Sequence, residues 1–244
     1  IRGTEYRTAG EGQPIAVVSH GIRAWQDTVR HYATALAALG YAAYTFDFRG
    51  GCAPGKGKSD GASTEMSVLT EVEDLLAVLA WAEARPYTDS RRTLLLGCSQ
   101  GGFVSAITAA RLGERVRDLI LLYPALCVPD DVRAGRLLDA VFDPKHVPET
   151  IPCGSILLGR RYVEDMAGAD AFQMIQAYPG NVLLIHGDRD EAVDLSYSQR
   201  AYQMYRRRGG GARTRLEILP GAGHGFTQAE AGQAIQWIRD FLGK

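Results

Sequence analysis

The sequence predicts an α/β protein built on a mainly parallel, twisted sheet with helices on both faces. Three observations carry this. Apolar runs of strand length alternate with longer amphipathic segments along almost the whole chain. Some of those runs, such as Thr93-Leu-Leu-Leu-Gly97, are continuously apolar, as strands covered on both faces are. The chain has 244 residues, 46% apolar and 23% charged, so folding buries roughly 70–75% of its unfolded surface in one full core.

The elements follow in order. Ile1–Arg7 is strand-like, and Pro14–His20 is a β-rich run that stops at Gly21. Val29–Leu39 reads as a helix with Gly40 placed to end it. Tyr41–Phe48 is the next strand, and a polar, Gly-rich loop over 49–62 follows it. Val68, Leu69, Val72, Leu75, Leu76 and Leu79 fall at i, i+3, i+4 and i+7 spacing, a helix with one face for the sheet. Thr93–Gly97 then leads directly into a helix over Gln100–Arg111, and Arg117–Tyr123 is another strand.

Two strand–helix units close the chain, Asn181–His186 with Ser196–Arg208 and Thr214–Leu219 with Gln228–Leu242. Arg206–Ala212 is a basic, solvated helix end favoured by the helix dipole. Between Pro124 and Pro179 the alternation breaks, with several prolines and no parallel-strand signal. Connections in such folds normally run a few residues, so 125–179 is expected to be a small subdomain inserted into a single domain over 1–244, lying above the carboxyl edge of the sheet.

Composition removes several function classes. Lys+Arg 27 against Asp+Glu 28 gives a net charge of −1, no field for a phosphate backbone or an anionic membrane surface. No apolar run approaches the roughly 18–20 residues of a membrane span, the densest being Asp118–Pro124. Cys52, Cys98, Cys127 and Cys153 are scattered, without C-x-x-C pairs or histidines at ligand spacing. They read as reduced thiols of a cytoplasmic protein, with no metal and no organic cofactor expected. The chain starts at Ile1 inside a strand-like stretch, with no signal-peptide pattern, and an upstream leader stays open.

Gly97-Cys98-Ser99-Gln100-Gly101 matches G-x-S-x-G between a strand and a helix, which makes Ser99 the candidate nucleophile. A tight strand-to-helix turn leaves no space for side chains at the flanking glycines, and the helix beyond points free N–H groups at a developing oxyanion. A serine needs a base and the base needs an acid. Of five histidines, His224 stands alone in the Gly-rich loop after the last strand, whereas His186 reads as a packed strand-end residue. Asp188 and Asp190 are the candidate acids, with Asp190 having the reach and Asp188 serving the turn. The two oxyanion donors are expected from the Gln100 N–H and, after His20-Gly21, the Ile22 N–H.

The set His20-Gly21-Ile22, Gly97–Gly101, Asp190–Val193 and His224-Gly225-Phe226 resembles the α/β-hydrolase superfamily over essentially the whole chain. Phe46-Asp-Phe48, Lys58–Gly61, Ser99–Phe103 and Tyr123-Pro-Ala125 are similar to bacterial cinnamoyl and feruloyl esterases. The resemblance implies a Ser99–Asp190–His224 triad and Ile22 and Gln100 as the oxyanion hole. It also implies a carboxylic ester hydrolase whose inserted segment is a lid that binds the aryl part of hydroxycinnamate esters.

Where relatives read Arg-Gly-His-Gly, this chain has the longer Arg49–Ser59 without the histidine, a change that bears on substrate preference. Within the insertion Phe142, Tyr162 and Phe172 are candidate walls for the aryl group, and Asp131 or the Tyr162 hydroxyl the partner for a phenol. The competing expectation is that these aromatics are the insertion's own core and that Asp131 caps a helix beginning near Val132.

The partner expected is a small ester, not nucleic acid or membrane, with a homodimer left open. The rivals are a general short-chain carboxylesterase, an acylglycerol lipase, and a peptidase of the acylaminoacyl type, which usually carries a separate propeller domain. A cysteine hydrolase of the dienelactone type would need Cys at position 99. From another class, an α/β-hydrolase-type ligand-binding protein would keep the pocket without the chemistry.

Overall fold

A computed structural model describes residues 1–208 and 211–244, and within them strands and helices alternate as the periodicity requires. Gly209 and Gly210, inside the basic helix end expected over 206–212, lie outside the described residues. Strands β1 (Arg2–Tyr6) and β2 (Gln13–Ser19) precede helix α1 (Arg30–Ala38), and β3 (Ala42–Asp47) precedes α2 (Val68–Glu83). Then come β4 (Thr88–Cys98), α3 (Gln100–Leu112) and β5 (Val116–Leu122).

Segment 125–179 holds α4 (Val128–Arg133), β6 (Arg136–Leu137), β7 (Ala140–Val141), β8 (Thr150–Cys153), β9 (Ile156–Gly159), α5 (Arg160–Ala167) and α6 (Ala171–Ile175). The chain closes with β10 (Asn181–Gly187), α7 (Leu195–Arg206), β11 (Thr214–Leu219) and α8 (Gln228–Leu242).

Seven described strands form one sheet in the order β1-β3-β2-β4-β5-β10-β11, with β1 antiparallel to β3 and the other pairs parallel. Alternation along each strand feeds two cores. Ile15 and Val17 of β2 join α2, α3, α7 and the 125–179 segment, while Ala16 and Val18 join α1 and α8. Helix α2 starts where Ser67 and Thr70 exchange capping hydrogen bonds, and Val68, Val72, Leu75 and Leu79 are buried as their spacing requires. Leu69 and Leu76, on the same predicted stripe, are only partly covered, because the stripe is wider than the contact with the sheet. Thr227 and Glu230 form a second such box at the start of α8.

Two details depart from expectation. The β4 strand begins at Thr88 rather than Thr93, since a register shift between Pro14 and Ile15 lets its polar first half pair with β2. Helix α4 begins at Val128, not near Val132, with Pro129 in its first turn, so Asp131 sits within the helix and is not its cap. In 125–179 the four strands are two antiparallel hairpins, β6-β7 and β8-β9, separate from the main sheet. No described helix is long and apolar enough to cross a membrane.

Candidate active site

The ends of β2, β4, β10 and β11 meet at the carboxyl edge of the sheet, where the fold collects loops from elements distant in sequence. Ser99 follows β4 at φ 53°, ψ −123°, a strained conformation for a residue with a side chain. Its surroundings hold it there. The Ser99 N–H donates to Leu122 O at 2.9 Å, and the Ser99 carbonyl accepts from Gly102 and Ala125 N–H groups, both at 2.9 Å. Glycine is obligatory on either side, since a Cβ at Gly97 would lie 2.1 Å from Gly101 O and one at Gly101 would lie 2.3 Å from His20 O.

His224 Nε2 is 2.9 Å from Ser99 Oγ, and its Nδ1 is 2.8 Å from Asp190 Oδ2. The Asp190 side chain is fully buried. Its Oδ1 accepts from the Ala192 and Val193 N–H groups, both at 2.9 Å, and its Oδ2 also faces His186 Nε2 at 3.1 Å. Burial alone would raise this carboxyl, but the hydrogen bonds from His186, His224 and Val193 outweigh it and hold the group well below the usual carboxylate range. Asp190 therefore stays ionised and fixes the Nδ1–H tautomer of His224, with Nε2 turned to the serine. Asp188 accepts from Gly221 N–H at 2.6 Å and braces the loop that carries His224.

His186 was expected to be a packed strand-end residue, and it is buried, but it also has a partner that strand periodicity does not reveal. Its Nε2 faces two acceptors, the Asp190 carboxylate and Val193 O at 3.0 Å, so this nitrogen carries the proton, while Nδ1 takes the Ser198 hydroxyl at 2.7 Å. The histidine four residues before the acid was the available signal.

The turn after β2 lies beside the serine: a Cβ on Gly21 would come within 2.9 Å of Ser99 Cβ. Ala24 N–H closes the turn on Gly21 O at 3.1 Å with Arg23 at φ 62°, and Arg23 N–H donates to Gly51 O at 3.0 Å. Among the described residues neither the Ile22 N–H nor the Gly21 N–H is engaged in a hydrogen bond. Gln100 is the first residue of α3, so its N–H has no acceptor within the helix.

The Gln100 side chain is buried and bonded at both ends. Its Nε2 donates to Glu71 Oε2 at 2.8 Å, and its Oε1 accepts from the Tyr162 hydroxyl at 2.5 Å. This row joins α2, the residue after the serine, and α5. Burial pushes the Glu71 carboxyl up to about 8, with the Gln100 hydrogen bond opposing and Asp74 adding to the rise. Its Oε1 has no hydrogen-bond partner.

A folded-state pKa above the unfolded value gives stability that is whole below about 4.5 and is lost as pH rises through about 8. Glu71→Gln, which does not titrate, is thus expected to gain stability over the wild type between pH 5 and pH 8.5, by on the order of a few kcal/mol. Urea midpoints at the two pH values measure this. A gap between the proteins that does not widen with pH would contradict it.

A cavity of about 600 Å³ opens beside Ser99 and His224 on the 125–179 side. Tyr162 and Asp131 line it, as does Tyr197 of α7, which the sequence did not single out. Phe142 and Phe172 do not line it. Phe172 is buried, stacked on Tyr197 with ring centroids 6.3 Å apart and capped by the Arg200 guanidinium, and Phe142 packs against the core. Phe172 thus packs across to α7, outside segment 125–179, rather than within the segment's own core. The Tyr162 hydroxyl is spent on Gln100, which leaves Asp131 as the polar group of the expected pair that faces the cavity. Two ion pairs stand in its wall, Asp131 with Arg136 at 3.0 Å and Asp139 with Arg23 at 3.2 Å.

Other nucleophiles are less suited. Cys98 is buried and its thiol is pushed up to about 12 by burial. His20, Asp47 and Cys52 bring potential ligand atoms within 4.8 Å of one another. Their lone pairs are in use, however: His20 Nε2 accepts from Phe48 N–H, and Asp47 accepts from Gln26 and Lys58.

Comparison with known proteins follows the same lines. The model of the prolyl oligopeptidase family matches residues 27–243. An uncharacterized 31.7 kDa protein of Escherichia coli is 31% identical over 108 residues, 44% of this chain and 36% of its own length. The acylamino-acid-releasing enzyme of Rattus norvegicus is 23% identical over 242 residues, 94% of this chain and 32% of that enzyme. The chain thus spans about a third of the curated relatives it matches. Among solved structures, Est1E from Butyrivibrio proteoclasticus with bound ferulic acid superposes with a TM-score of 0.86 at 23% identity, covering 100% of this chain and 96% of that one. A monoacylglycerol lipase from Paleococcus ferrophilus gives 0.70 at 18% identity, covering 98% of each. The fold is the α/β-hydrolase fold.

Proposed function

This chain belongs to the prolyl oligopeptidase family, and from that premise we propose that it is a serine hydrolase of carboxylic esters acting on hydroxycinnamate esters. The observation that carries the chemistry is the continuous row Ser99–His224–Asp190, at 2.9 and 2.8 Å, with the acid buried and ionised. His224 Nε2 takes the Ser99 proton as Oγ attacks the ester carbonyl, and Asp190 stabilises the imidazolium. The Ile22 and Gln100 N–H groups receive the oxyanion. His224 then gives its proton to the leaving alcohol oxygen, and water repeats the sequence on the acyl-enzyme. No step calls for a metal or an organic cofactor.

For the acyl half, three features support hydroxycinnamate. The cavity is of a size that takes a substituted aromatic acid, Tyr162 and Tyr197 are among its lining residues, and the Asp131 carboxylate, paired with Arg136, would be the acceptor for a phenolic hydrogen. The ferulic acid bound to Est1E, in a protein of the same fold, points the same way. Segment 125–179 acts in this reading as the lid that closes over the aryl group.

A second reading, cleavage of acylated amino-acid amides, is favoured by the family match and by the acylamino-acid-releasing enzyme. Turnover of methyl ferulate, p-nitrophenyl butyrate and an N-acetylalanine anilide separates the two. Efficient hydrolysis of methyl ferulate with no anilide cleavage is expected. Reaction with butyrate alone would reduce the assignment to a general carboxylesterase, and anilide cleavage would replace it with a peptidase.

A further inference from the structure

Ser99 and His224 line two recesses, not one. Besides the 600 Å³ cavity on the side of segment 125–179, a recess of about 280 Å³ opens on the α1 side. The two lie over opposite faces of the sheet: Tyr162 and Val193 of the first belong to the core shared with α2 and α3, Tyr32 and Tyr123 of the second to the core shared with α1 and α8. Their chemistry differs as sharply. The cavity wall carries Arg23, Arg136, Asp131, Asp139, Glu191 and Asp194, whereas no lining residue of the recess is Asp, Glu, Lys or Arg.

The floor of the recess is mainly apolar, with His31 of α1 also in its lining. Val29, Tyr32 and Tyr123 are buried, and Tyr123, held at φ 38°, meets the His224 ring at 5.0 Å and the Phe226 ring at 4.7 Å, both edge-on. Thr28 is exposed at the rim, and Phe226 forms a half-buried wall. A space of this volume stands at the lower end of ligand pockets, roughly 300–1,000 Å³, so it suits one ring or a short chain.

We infer that this recess is the subsite for the alcohol half of the ester, and that it selects short apolar or single-ring alcohols over charged ones. The inference rests on the reading above, in which the acyl half occupies the cavity. The carbonyl carbon is bonded to Ser99 Oγ, so the two substituents of the ester must diverge from that point into the two recesses. As the tetrahedral intermediate collapses, the bond from the acyl carbon to the alcohol oxygen breaks, and its electron pair stays on that oxygen. The oxygen takes the proton from His224 Nε2, which requires the alcohol to sit beside the imidazole. The recess framed by Tyr123, His224 and Phe226 is that place. A carboxylate-bearing alcohol would lose hydration there and find no Lys or Arg among the lining residues.

The test uses one acyl group with several alcohols, because kcat/KM then reports acylation and the alcohol alone varies. Methyl, butyl, benzyl and carboxymethyl esters are compared as ferulates and, in parallel, as acetates, with wild type, Thr28→Trp and Phe226→Ala. Filling or emptying an apolar site by one methylene changes kcat/KM by roughly 10–200-fold. Benzyl and butyl esters are expected to exceed the methyl ester by about tenfold or more, with the anionic carboxymethyl ester lowest. Thr28→Trp, which fills the rim, brings the benzyl-to-methyl ratio to about one, and Phe226→Ala lowers it.

A ratio near one in the wild type, or one that neither variant moves, overturns the subsite. If ferulates are inert while acetates show the benzyl preference and its loss in Thr28→Trp, the acyl assignment falls and the subsite stands. If neither series reacts, both fall.

Discussion

Ser99→Ala is expected to lower kcat on any ester by about 10⁴–10⁶ while leaving the fold intact. The size follows from the loss of the only side chain that bonds to the substrate carbon, whereas the donors of Ile22 and Gln100 remain and give the residual rate. The fold survives because Ser99 is held through its backbone. Its N–H and carbonyl anchor the turn to β5, α3 and the chain after β5, and among the described residues its hydroxyl hydrogen-bonds to His224 alone. Alanine tolerates φ 53° no better and no worse than serine, so the unfolding midpoint should move little. Steady-state rates and urea unfolding on the same preparation measure both halves. A variant that keeps a few per cent of wild-type turnover removes Ser99 from the reaction.

Asp190→Asn should cost about 10⁴ in kcat and, unlike the serine change, should also destabilise the protein. Every acceptor site of Asp190 faces a donor: two backbone N–H groups on Oδ1 and two imidazoles on Oδ2. An asparagine amide must turn its NH₂ toward one of these pairs. Set against Ala192 and Val193, it breaks the turn after β10. Set against the histidines, it forces His224 into the other tautomer, with Nε2 protonated and unable to accept from Ser99. Either outcome leaves a buried donor without an acceptor, worth about 1–3 kcal/mol. The checks are kcat and the urea midpoint together. A loss of less than tenfold in kcat would show that the imidazole does not depend on Asp190 for its orientation.

How much of this was legible in the sequence depends on the range of the interaction. Helix α8 has the limits that its periodicity and its Thr227–Glu230 box set, and the parallel strands other than β4 fall within a residue or two, because local pattern and burial agree there. The hairpins β6-β7 and β8-β9 escaped the periodicity because strands of two to four residues carry too few alternations to read. The aromatics of 125–179 show the limit of composition. Whether Phe172 faces a cavity or a neighbour depends on Tyr197 and Arg200, which stand 25 and 28 residues further on.

The same holds for the polar row through Gln100. Glu71 lies 29 residues before it and Tyr162 62 residues after it, so no spacing rule connects them. What strand and turn patterns place reliably is the backbone at the sheet edge, and Ser99, Asp190 and His224 each follow a strand end. For the second histidine on Asp190 the four-residue spacing is the one local signal, and it is weak, since a buried strand-end histidine looks much the same whether or not it bonds to the acid.

Nucleophilic catalysis by Ser99 requires an acyl group on its Oγ during turnover. Wild type, Ser99→Ala and His224→Ala are each mixed with p-nitrophenyl butyrate, quenched in acid within the first turnovers, and mapped by peptide mass spectrometry. One butyryl group on the peptide that contains Ser99 is predicted for the wild type, with none in Ser99→Ala and little in His224→Ala. Turnover by the wild type with Ser99 unmodified, or butyrylation at Cys52 or another side chain in its place, would contradict it.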